Sequence, residues 1–199
     1  MNKFLAIDTS SRYLTVLASN GNEVKLNYLP DCAMSHSVRL MGEIDKTLNE
    51  LNLSAKDCDF FAAVTGPGSF TGIRIGISAA KGFALGAGKP LLSITSFELI
   101  AYNVADENLY VVIDAAHGHY YVCGFGKMRQ VTLNPCYLSR EEVEKLGPLY
   151  GFEELGFENY TRLDAGECLI KAVDCLKGRL TNTMNALYVR KSQAEEGRK

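Results

Sequence analysis

The chain places three polar side chains, Asp8, Thr9 and Ser10, directly after its first apolar run. Residues 3–8 predict a buried strand and residues 15–18 the strand that returns beside it, so the three side chains occupy the connecting turn. Hydroxyls and free backbone amides in such a turn can contact a phosphate group. Asp, Thr and Ser also build turns that satisfy their own hydrogen bonds. The sequence leaves both interpretations open, a nucleotide contact and a self-capped hairpin.

A glycine-rich turn at residues 66–72, with the sequence GPGSFTG, follows another apolar run and opens a predicted helix. The free amides at a helix N-terminus could hold an anion. However, the segment is too long for the dinucleotide fingerprint, and no Gly-Lys-Ser/Thr follows it as a P-loop requires. The alternative is a tight strand-to-helix corner without a ligand. We group Gly66, Gly68 and Ser69 with the Asp8 turn as a candidate nucleotide loop.

No residue stands in a recognisable catalytic motif. His117 and His119 could ligate one metal from the same strand face, yet no third ligand lies nearby, so a turn pair is the favoured interpretation. His36 lies at a predicted helix start, where a neutral capping role fits. No serine or cysteine nucleophile has a histidine in a known motif context. The sequence predicts neither a catalytic residue nor a metal ligand.

The composition describes an ordinary globular protein. Of 199 residues, 47% are hydrophobic and 22% are charged, and the net charge of −2 gives no electrostatic footprint for binding nucleic acid alone. Six cysteines without C-x-x-C spacing indicate reduced thiols in a cytosolic protein. The strand-like pattern at the N-terminus leaves no room for a signal peptide. We expect a cytoplasmic protein without a membrane segment.

The pattern of the first hairpin recurs in the second half of the chain. Residues 109–116 and 120–123 repeat the apolar run, the aspartate, the turn and the returning strand. Two such halves suggest the duplicated α/β plan of actin, hexokinase and Hsp70, in which two aspartate turns face each other across a nucleotide cleft. We expect a first lobe over residues 1–105 and a smaller second lobe over residues 106–199. Asp114 is followed by two alanines, so the second turn lacks the hydroxyls that could contact a phosphate, and we expect the nucleotide loop to be vestigial. The residues of this vestigial loop are Asp8, Thr9, Ser10, Gly66, Gly68 and Ser69.

A helix predicted over residues 71–85 carries a small residue at every fourth position, so one face lets another backbone approach closely. Interior glycines cost about 0.8–1 kcal/mol each against alanine, so this stripe needs a tertiary reason. The helix is apolar on most sides, which indicates a place in the middle of its domain or cover by a second chain. We predict that it forms a four-helix contact with a second subunit, together with the helix over residues 37–51. The predicted interface residues are Val38, Met41, Gly72, Ile73, Gly76, Ile77 and Ala80.

Three segments together resemble the TsaB (YeaZ) family: IDTS at residues 7–10, GPGSFTGIRIG at 66–76 with AKG at 80–82, and LYVR at 187–190. The resemblance is strong over the first lobe, moderate at Asp114 and weak over residues 144–183. It implies a bacterial cytosolic subunit of the machinery that attaches a threonylcarbamoyl group to the adenosine beside the anticodon of certain tRNAs. In that machinery TsaD is the catalytic paralogue on the same fold, and TsaE is an ATPase partner. Family members usually have proline where Ala186 stands.

The resemblance also implies a scaffold that binds and stabilises TsaD and has no catalytic residue of its own. When residues 88–91 are aligned with the same block in TsaD, the two metal-binding histidines of TsaD fall on Ser96 and Ile100. Isoleucine has no donor atom, and a neutral serine hydroxyl is a poor metal ligand. We expect no cofactor bound by the chain alone, with ATP or ADP held only in the complex. TsaE and tRNA would be reached through the complex, and the free protein would form a homodimer that TsaD displaces. The alternative is an active ATPase or acyl-group kinase that uses the Asp8 turn.

Overall fold

The first half of the chain folds around a five-stranded mixed sheet in the computed structural model, which describes residues 2–190. The strands are β1 (Lys3–Asp8), β2 (Leu14–Asn20), β3 (Val24–Leu29), β4 (Phe60–Val64) and β5 (Leu91–Ile94). Their order is β3-β2-β1-β4-β5, with β1 to β3 as an antiparallel meander and β4 and β5 parallel to β1. Every residue of β4 is buried, because helices cover both faces of the sheet. The predicted hairpin of residues 3–8 and 15–18 is confirmed, and the apolar run at residues 24–29, which follows an Asn-Gly-Asn turn, predicts the third strand of the meander correctly.

The second half builds another five-stranded sheet with the same plan. Its strands are β6 (Leu109–Asp114), β7 (His119–Phe125), β8 (Val131–Ser139), β9 (Leu149–Gly151) and β10 (Tyr160–Arg162). Their order is β10-β9-β6-β7-β8, with β6 to β8 antiparallel and β9 and β10 parallel to β6. Read from the meander edge, both sheets follow one topology. The predicted internal repeat is therefore confirmed, with β9 and β10 as additions that the sequence pattern did not indicate.

Residues 2–190 include five α-helices. They are α1 (His36–Glu50), α2 (Phe70–Ala87), α3 (Ser96–Ala101), α4 (Arg140–Val143) and α5 (Cys168–Leu176). α1 and α2 cover one face of the first sheet, where Ile44 and Ile73 belong to its core. α3 and α5 cover the other face through Leu99 and Leu169. Within the described residues, no helix has both the length and the apolar character needed to cross a membrane.

The two halves share helices and a returning tail. Phe97 and Ile100 of α3 pack against β6 and β7 of the second sheet. α5 follows the second sheet in the chain, yet it packs on the first sheet. Thr181 then pairs with Leu91 of β5 through two backbone hydrogen bonds of 2.8 and 2.9 Å. The segment after the second sheet returns to pack on the first sheet, and residues 191–199 lie outside the described part of the chain. The division into lobes at residues 1–105 and 106–199 therefore stays a prediction.

Local capping chemistry explains where the short helices begin. α3 starts at Ser96, and its N-cap is Thr95, whose hydroxyl accepts from the Glu98 amide at 3.1 Å. The Glu98 carboxylate accepts in return from the Thr95 amide at 2.9 Å, so the two residues form a capping box. The sequence favours Ser96 as the cap of this helix. That prediction is wrong by one residue, because only Thr95 has a glutamate at the third helical position.

Candidate functional site

The turns that follow β1 and β6 line one cavity of about 300 Å³. Ser10 comes from the first turn, Asp114 from the end of β6, and Gly68 from the glycine-rich turn before α2. Ser96 and Ile100 of α3 complete this side of the cavity. The structure therefore brings the two aspartate turns to one cleft, as the duplicated plan predicts.

The first turn satisfies its own hydrogen bonds. The amide and the hydroxyl of Ser10 donate to Oδ1 of Asp8 at 2.8 and 2.7 Å. Oγ1 of Thr9 donates to the carbonyl oxygen of Gly72 at 2.7 Å, and Thr9 is fully buried. The amide of Ser69 donates to the carbonyl oxygen of Ser10 at 2.7 Å. The hydroxyls of Thr9 and Ser10 and the amides of Ser10 and Ser69 are thus engaged within the chain.

The glycines of the 66–76 block allow this turn to lie directly on α2. A Cβ added at Gly72 would lie 2.0 Å from the carbonyl oxygen of Thr9, and one at Gly76 would lie 2.5 Å from its Oγ1. A Cβ at Gly68 would lie 2.2 Å from the carbonyl oxygen of Ser10. Real Cβ atoms do not approach other atoms so closely, so only glycine fits at these positions. The tertiary reason for Gly68, Gly72 and Gly76 is thus the chain's own first hairpin.

This packing corrects the predicted orientation of α2. Five of the seven predicted interface residues are buried inside the chain: Gly72, Ile73, Gly76, Ile77 and Ala80. They face the first sheet and its turn, because a small-residue stripe serves an internal close approach as well as an external one. The other two, Val38 and Met41, are 81% and 49% exposed. An interface on the outer side of α1 and α2 stays a prediction.

Gly66 and Ser69 have structural tasks beside the cavity. Gly66 has a φ of +98°, and a Cβ there would lie 2.6 Å from Cδ1 of Ile73 and 3.1 Å from the carbonyl oxygen of Leu187. Ser69 is the N-cap of α2, and its hydroxyl accepts from the Gly72 amide at 3.2 Å. The structure therefore assembles all six residues of the predicted loop at one corner. Nucleotide binding there stays a prediction.

Asp8 belongs to a buried polar cluster with Tyr13 and His36, which are 1%, 4% and 3% exposed. Burial raises the pKa of the Asp8 carboxyl above its ordinary value of 3.8, and hydrogen bonds from Ser10 offset part of that rise. Burial and the neighbouring Asp8 charge raise the pKa of the Tyr13 hydroxyl. Nε2 of His36 donates to the carbonyl oxygen of Tyr13 at 2.9 Å. The predicted capping role of His36 is wrong, because its ring closes this cluster instead.

The second turn has a similar local geometry with fewer polar groups. Oδ1 of Asp114 accepts from the Ala116 amide at 2.9 Å, as Asp8 accepts from Ser10. His119 stacks on Tyr137 with ring centroids 4.7 Å apart, and its Nδ1 lies 3.1 Å from the carbonyl oxygen of His117. Among residues 2–190, no three histidine, cysteine, aspartate or glutamate side chains are placed to hold a metal ion.

Two buried oxygen atoms in the cleft have no hydrogen-bond partner among the described residues. They are Oγ of Ser96 and Oε2 of Glu153, and both residues line the 300 Å³ cavity. Burial raises the pKa of the Glu153 carboxyl, and the charge of Asp114 raises it further. Ile100, one helical turn beyond Ser96, is 1% exposed and offers only carbon atoms to the cleft. The α3 side of the cavity is therefore partly apolar, and the rest of its lining includes the acids Asp114 and Glu153 and the cation Arg12.

The outer sides of α1 and α2 form a shallow groove of about 500 Å³. Met41 of α1 lines it opposite Phe70, Arg74 and Ile75 of α2. Val38 lies on the exposed side of α1 nearby. We call these five residues the α1–α2 surface. Of the predicted interface residues, this surface contains Val38 and Met41.

Sequence reasoning missed several cavity residues, among them Tyr13, Phe152 and Glu153. Phe152 and Glu153 follow β9, a strand of three residues that has no detectable period. Tyr13 immediately precedes β2, and its ring packs edge-on to Phe152 with centroids 5.9 Å apart. Tyr13 could have been found from sequence, because it lies in the polar turn that follows the first apolar run. No sequence pattern places Phe152 or Glu153 at the cavity.

Two sheets of one topology that meet at a cleft define a two-lobed α/β protein of the actin, hexokinase and Hsp70 plan, with a reduced second lobe. The sequence assigns the chain to a particular family within this fold class. A family model described as TsaD: tRNA N6-adenosine threonylcarbamoyltransferase matches residues 29–173, and the chain belongs to this family.

Similar proteins carry the name that the sequence motifs suggest. The chain is 33% identical over 119 residues to the tRNA threonylcarbamoyladenosine biosynthesis protein TsaB of Bacillus subtilis (strain 168), covering 59% of this chain and 52% of that protein. It is 28% identical over 193 residues to TsaB of Escherichia coli (strain K12), covering 86% and 83%. The match thus spans about half the length of the Bacillus relative.

The fold agrees with a solved relative over nearly its whole length. The structure of YeaZ from Pseudomonas aeruginosa superimposes with a TM-score of 0.78 at 19% identity, covering 94% of this chain and 100% of that one. The resemblance to TsaB (YeaZ) is confirmed by these comparisons.

Proposed function

We propose that the protein is a non-catalytic scaffold subunit in the biosynthesis of N6-threonylcarbamoyladenosine in tRNA. Its task is to bind and stabilise a catalytic TsaD subunit in the cytoplasm. The observation that carries the proposal is the family match together with the composition of α3. Ser96 and Ile100 stand where the resemblance assigns metal-binding histidines to the catalytic paralogue, and neither supplies a strong ligand.

The α1–α2 surface is the proposed docking site for TsaD. Val38 is 81% exposed and Met41 49%, and Met34 just before α1 is 98% exposed. Exposed apolar side chains grouped on one side of a protein are typical of interaction sites. The free protein would use the same surface for a homodimer, and TsaD would displace one copy. TsaE and tRNA would join through the complex.

ATP or ADP would be bound only in the complex. Support for this comes from the first turn, where the hydroxyls of Thr9 and Ser10 and the amide of Ser10 already have partners in the chain. The carboxylate of Asp114 also lines the cavity and repels phosphate groups. Arg12 also lines the cavity, so a TsaD subunit would add to the positive charge that Arg12 supplies to a nucleotide.

The test is a deletion strain complemented with the intact gene and with variants, in which the modified nucleoside is measured by mass spectrometry. We expect the nucleoside to disappear in the deletion strain and TsaD to co-purify with the tagged protein. Normal nucleoside levels in the deletion strain would contradict the proposal. Calorimetry with magnesium and ATP tests the rival, since binding with turnover by the isolated chain would favour an ATPase or acyl-group kinase.

A further inference from the structure

Arg74 is held rigidly at the rim of the α1–α2 surface. Its guanidinium carbon lies 3.8 Å from the ring centroid of Phe70, and its Nε donates to the hydroxyl of Tyr188 at 3.0 Å. The rings of Phe70 and Tyr188 are themselves in contact, with centroids 4.9 Å apart. Arg74 is nevertheless exposed, so its guanidinium is fixed in position and open to an approaching group.

The tail fixes Tyr188 from both sides. The amide of Leu187 donates to the carbonyl oxygen of Thr65 at 2.8 Å, and the side chains of Leu187 and Val189 pack into the core beside α3 and the second sheet. Arg190 donates to the hydroxyl of Tyr137 at 2.8 Å. Because the tail is tied to both lobes, Arg74 has little side-chain freedom left to lose when it binds something.

Arg74 forms no ion pair within residues 2–190, and it is the only charged residue lining the groove in that part of the chain. The remaining lining residues are apolar or carry hydroxyls, such as Met41, Ile75 and Ser78. A protein that covers the groove removes water from the guanidinium, and a desolvated charge without a partner is strongly unfavourable. The covering surface must therefore bring oxygen acceptors to this point.

We propose that Arg74 is the anchor for a carboxylate on the protein that docks on the α1–α2 surface, and that Tyr188 is its positioning residue. The guanidinium fork suits a carboxylate bidentately, with its remaining N–H groups free of ion pairs within the described chain. The partner is a protein that presents an aspartate or glutamate beside apolar side chains. The inference rests on the proposed function, in which that partner is the TsaD subunit.

The experiment is calorimetry of the full chain with TsaD from the same organism, for wild type, Arg74→Gln and the control Lys81→Gln. Lys81 is a second exposed cation of α2, and it lies outside the groove lining. We expect Arg74→Gln to weaken binding by at least about tenfold and Lys81→Gln by less than about twofold. Raising salt should weaken wild-type binding more than Arg74→Gln binding.

Tyr188→Phe keeps the ring and removes the hydroxyl that Nε of Arg74 contacts. We expect a loss of a few-fold in affinity, on the scale of one hydrogen bond, and no further loss when it is combined with Arg74→Gln. A purely structural role of Tyr188 would instead give additive losses. Thermal unfolding of each variant checks that the exposed substitutions leave the fold intact.

The outcomes separate the two proposals. Failure of the wild-type protein to bind TsaD would overturn the proposed function and this assignment with it. Wild-type binding that Arg74→Gln leaves unchanged would overturn the carboxylate assignment alone. If Arg74→Gln abolishes self-association in light scattering and leaves TsaD binding intact, the carboxylate belongs to a second copy of this chain, and the assigned partner is wrong.

Discussion

Oγ1 of Thr9 donates a hydrogen bond of 2.7 Å to the carbonyl oxygen of Gly72, which joins the first hairpin turn to the first turn of α2. The two residues are 63 positions apart in the chain. The bond exists because Gly72 and Gly76 have no side chains that would hold the turn away. The glycine-rich block thus allows close packing within the first lobe. Its contribution to the free energy of unfolding can be measured with single substitutions.

Gly76→Ala should destabilise the protein by about 1–3 kcal/mol, because its methyl group would overlap Oγ1 of Thr9. Gly82→Ala in the same helix is the matched control, since a Cβ there meets nothing within 4 Å. It should stabilise by about 0.5–1 kcal/mol through helix propensity. Urea unfolding gives both values, and equal effects at the two positions would contradict the packing explanation.

Much of the first lobe could be predicted from sequence, because its elements are long and periodic. The limits of β1 and β3 and the cores of α1 and α2 agree with the predicted ranges. β9 and β10 have three residues each and exist through parallel pairing with distant strands, so no local pattern marks them. The apolar pattern of the second lobe predicts a short third strand over residues 131–133, and in the structure that strand extends through residue 139.

The candidate site was only half predictable for a related reason. Asp8, Thr9, Ser10 and the glycine-rich turn were visible as motifs, and the structure does bring them together. The outward and inward faces of α2 could not be told apart, since glycines at every fourth position permit a close approach on either side. The contact that fixes which face of α2 is buried is the hydrogen bond from Thr9 to Gly72. It joins residues that are distant in the chain, so no local sequence pattern predicts it.

Asp8→Asn should change how stability depends on pH. Burial raises the pKa of Asp8 above 3.8 in the folded state, so between 3.8 and the raised value the folded protein binds more protons than the unfolded one. The wild type therefore loses stability as pH rises through that window and does not regain it above. Asparagine does not titrate, and its Oδ1 can still accept from Ser10.

The free energy of unfolding of Asp8→Asn, relative to wild type, should thus increase with pH from about pH 4 upward and then level off. Urea unfolding at a series of pH values measures this difference. Parallel curves for the two proteins would show that Asp8 ionises without penalty in the fold. If the turn has no chemical role, Asp8→Asn should also support normal tRNA modification in the deletion strain.

Val38→Glu tests the apolar part of the α1–α2 surface. Val38 is 81% exposed, so the change should alter stability by less than about 0.5 kcal/mol. Association with TsaD, and self-association of the free protein, should weaken by at least about tenfold because the carboxylate would be buried against apolar groups. Substitutions at Gly76 cannot serve this purpose, since they disturb the first lobe itself.

Met128→Glu is the control for that experiment. Met128 is 92% exposed and lies between β7 and β8, on the second sheet. Both variants add one negative charge, so they share any general electrostatic effect on association. Equal weakening by Val38→Glu and Met128→Glu would argue against a docking site on α1 and α2.

Two substitutions in α3 would place imidazoles where the resemblance assigns metal-binding histidines to the catalytic paralogue. Ser96 and Ile100 are one helical turn apart, and both line the cavity that Asp114 also lines. Histidines four residues apart on one helix face can bind one metal ion, and a carboxylate is a suitable third ligand. The double variant Ser96→His and Ile100→His should therefore bind zinc or cobalt. Apo protein should be less stable than wild type, because Ile100 is 1% exposed and a histidine there buries a polar ring.

The readout is the shift in melting temperature on adding zinc, together with the visible spectrum on adding cobalt. We expect a large upward shift for the double variant, since metal binds only the folded state. The single variant Ser96→His should show little shift, because one added imidazole leaves the ligand set incomplete. A folded double variant without any metal response would show that the side chains at positions 96 and 100 do not converge in the cleft. The absence of histidine there would then no longer support the proposal that this chain is a non-catalytic scaffold.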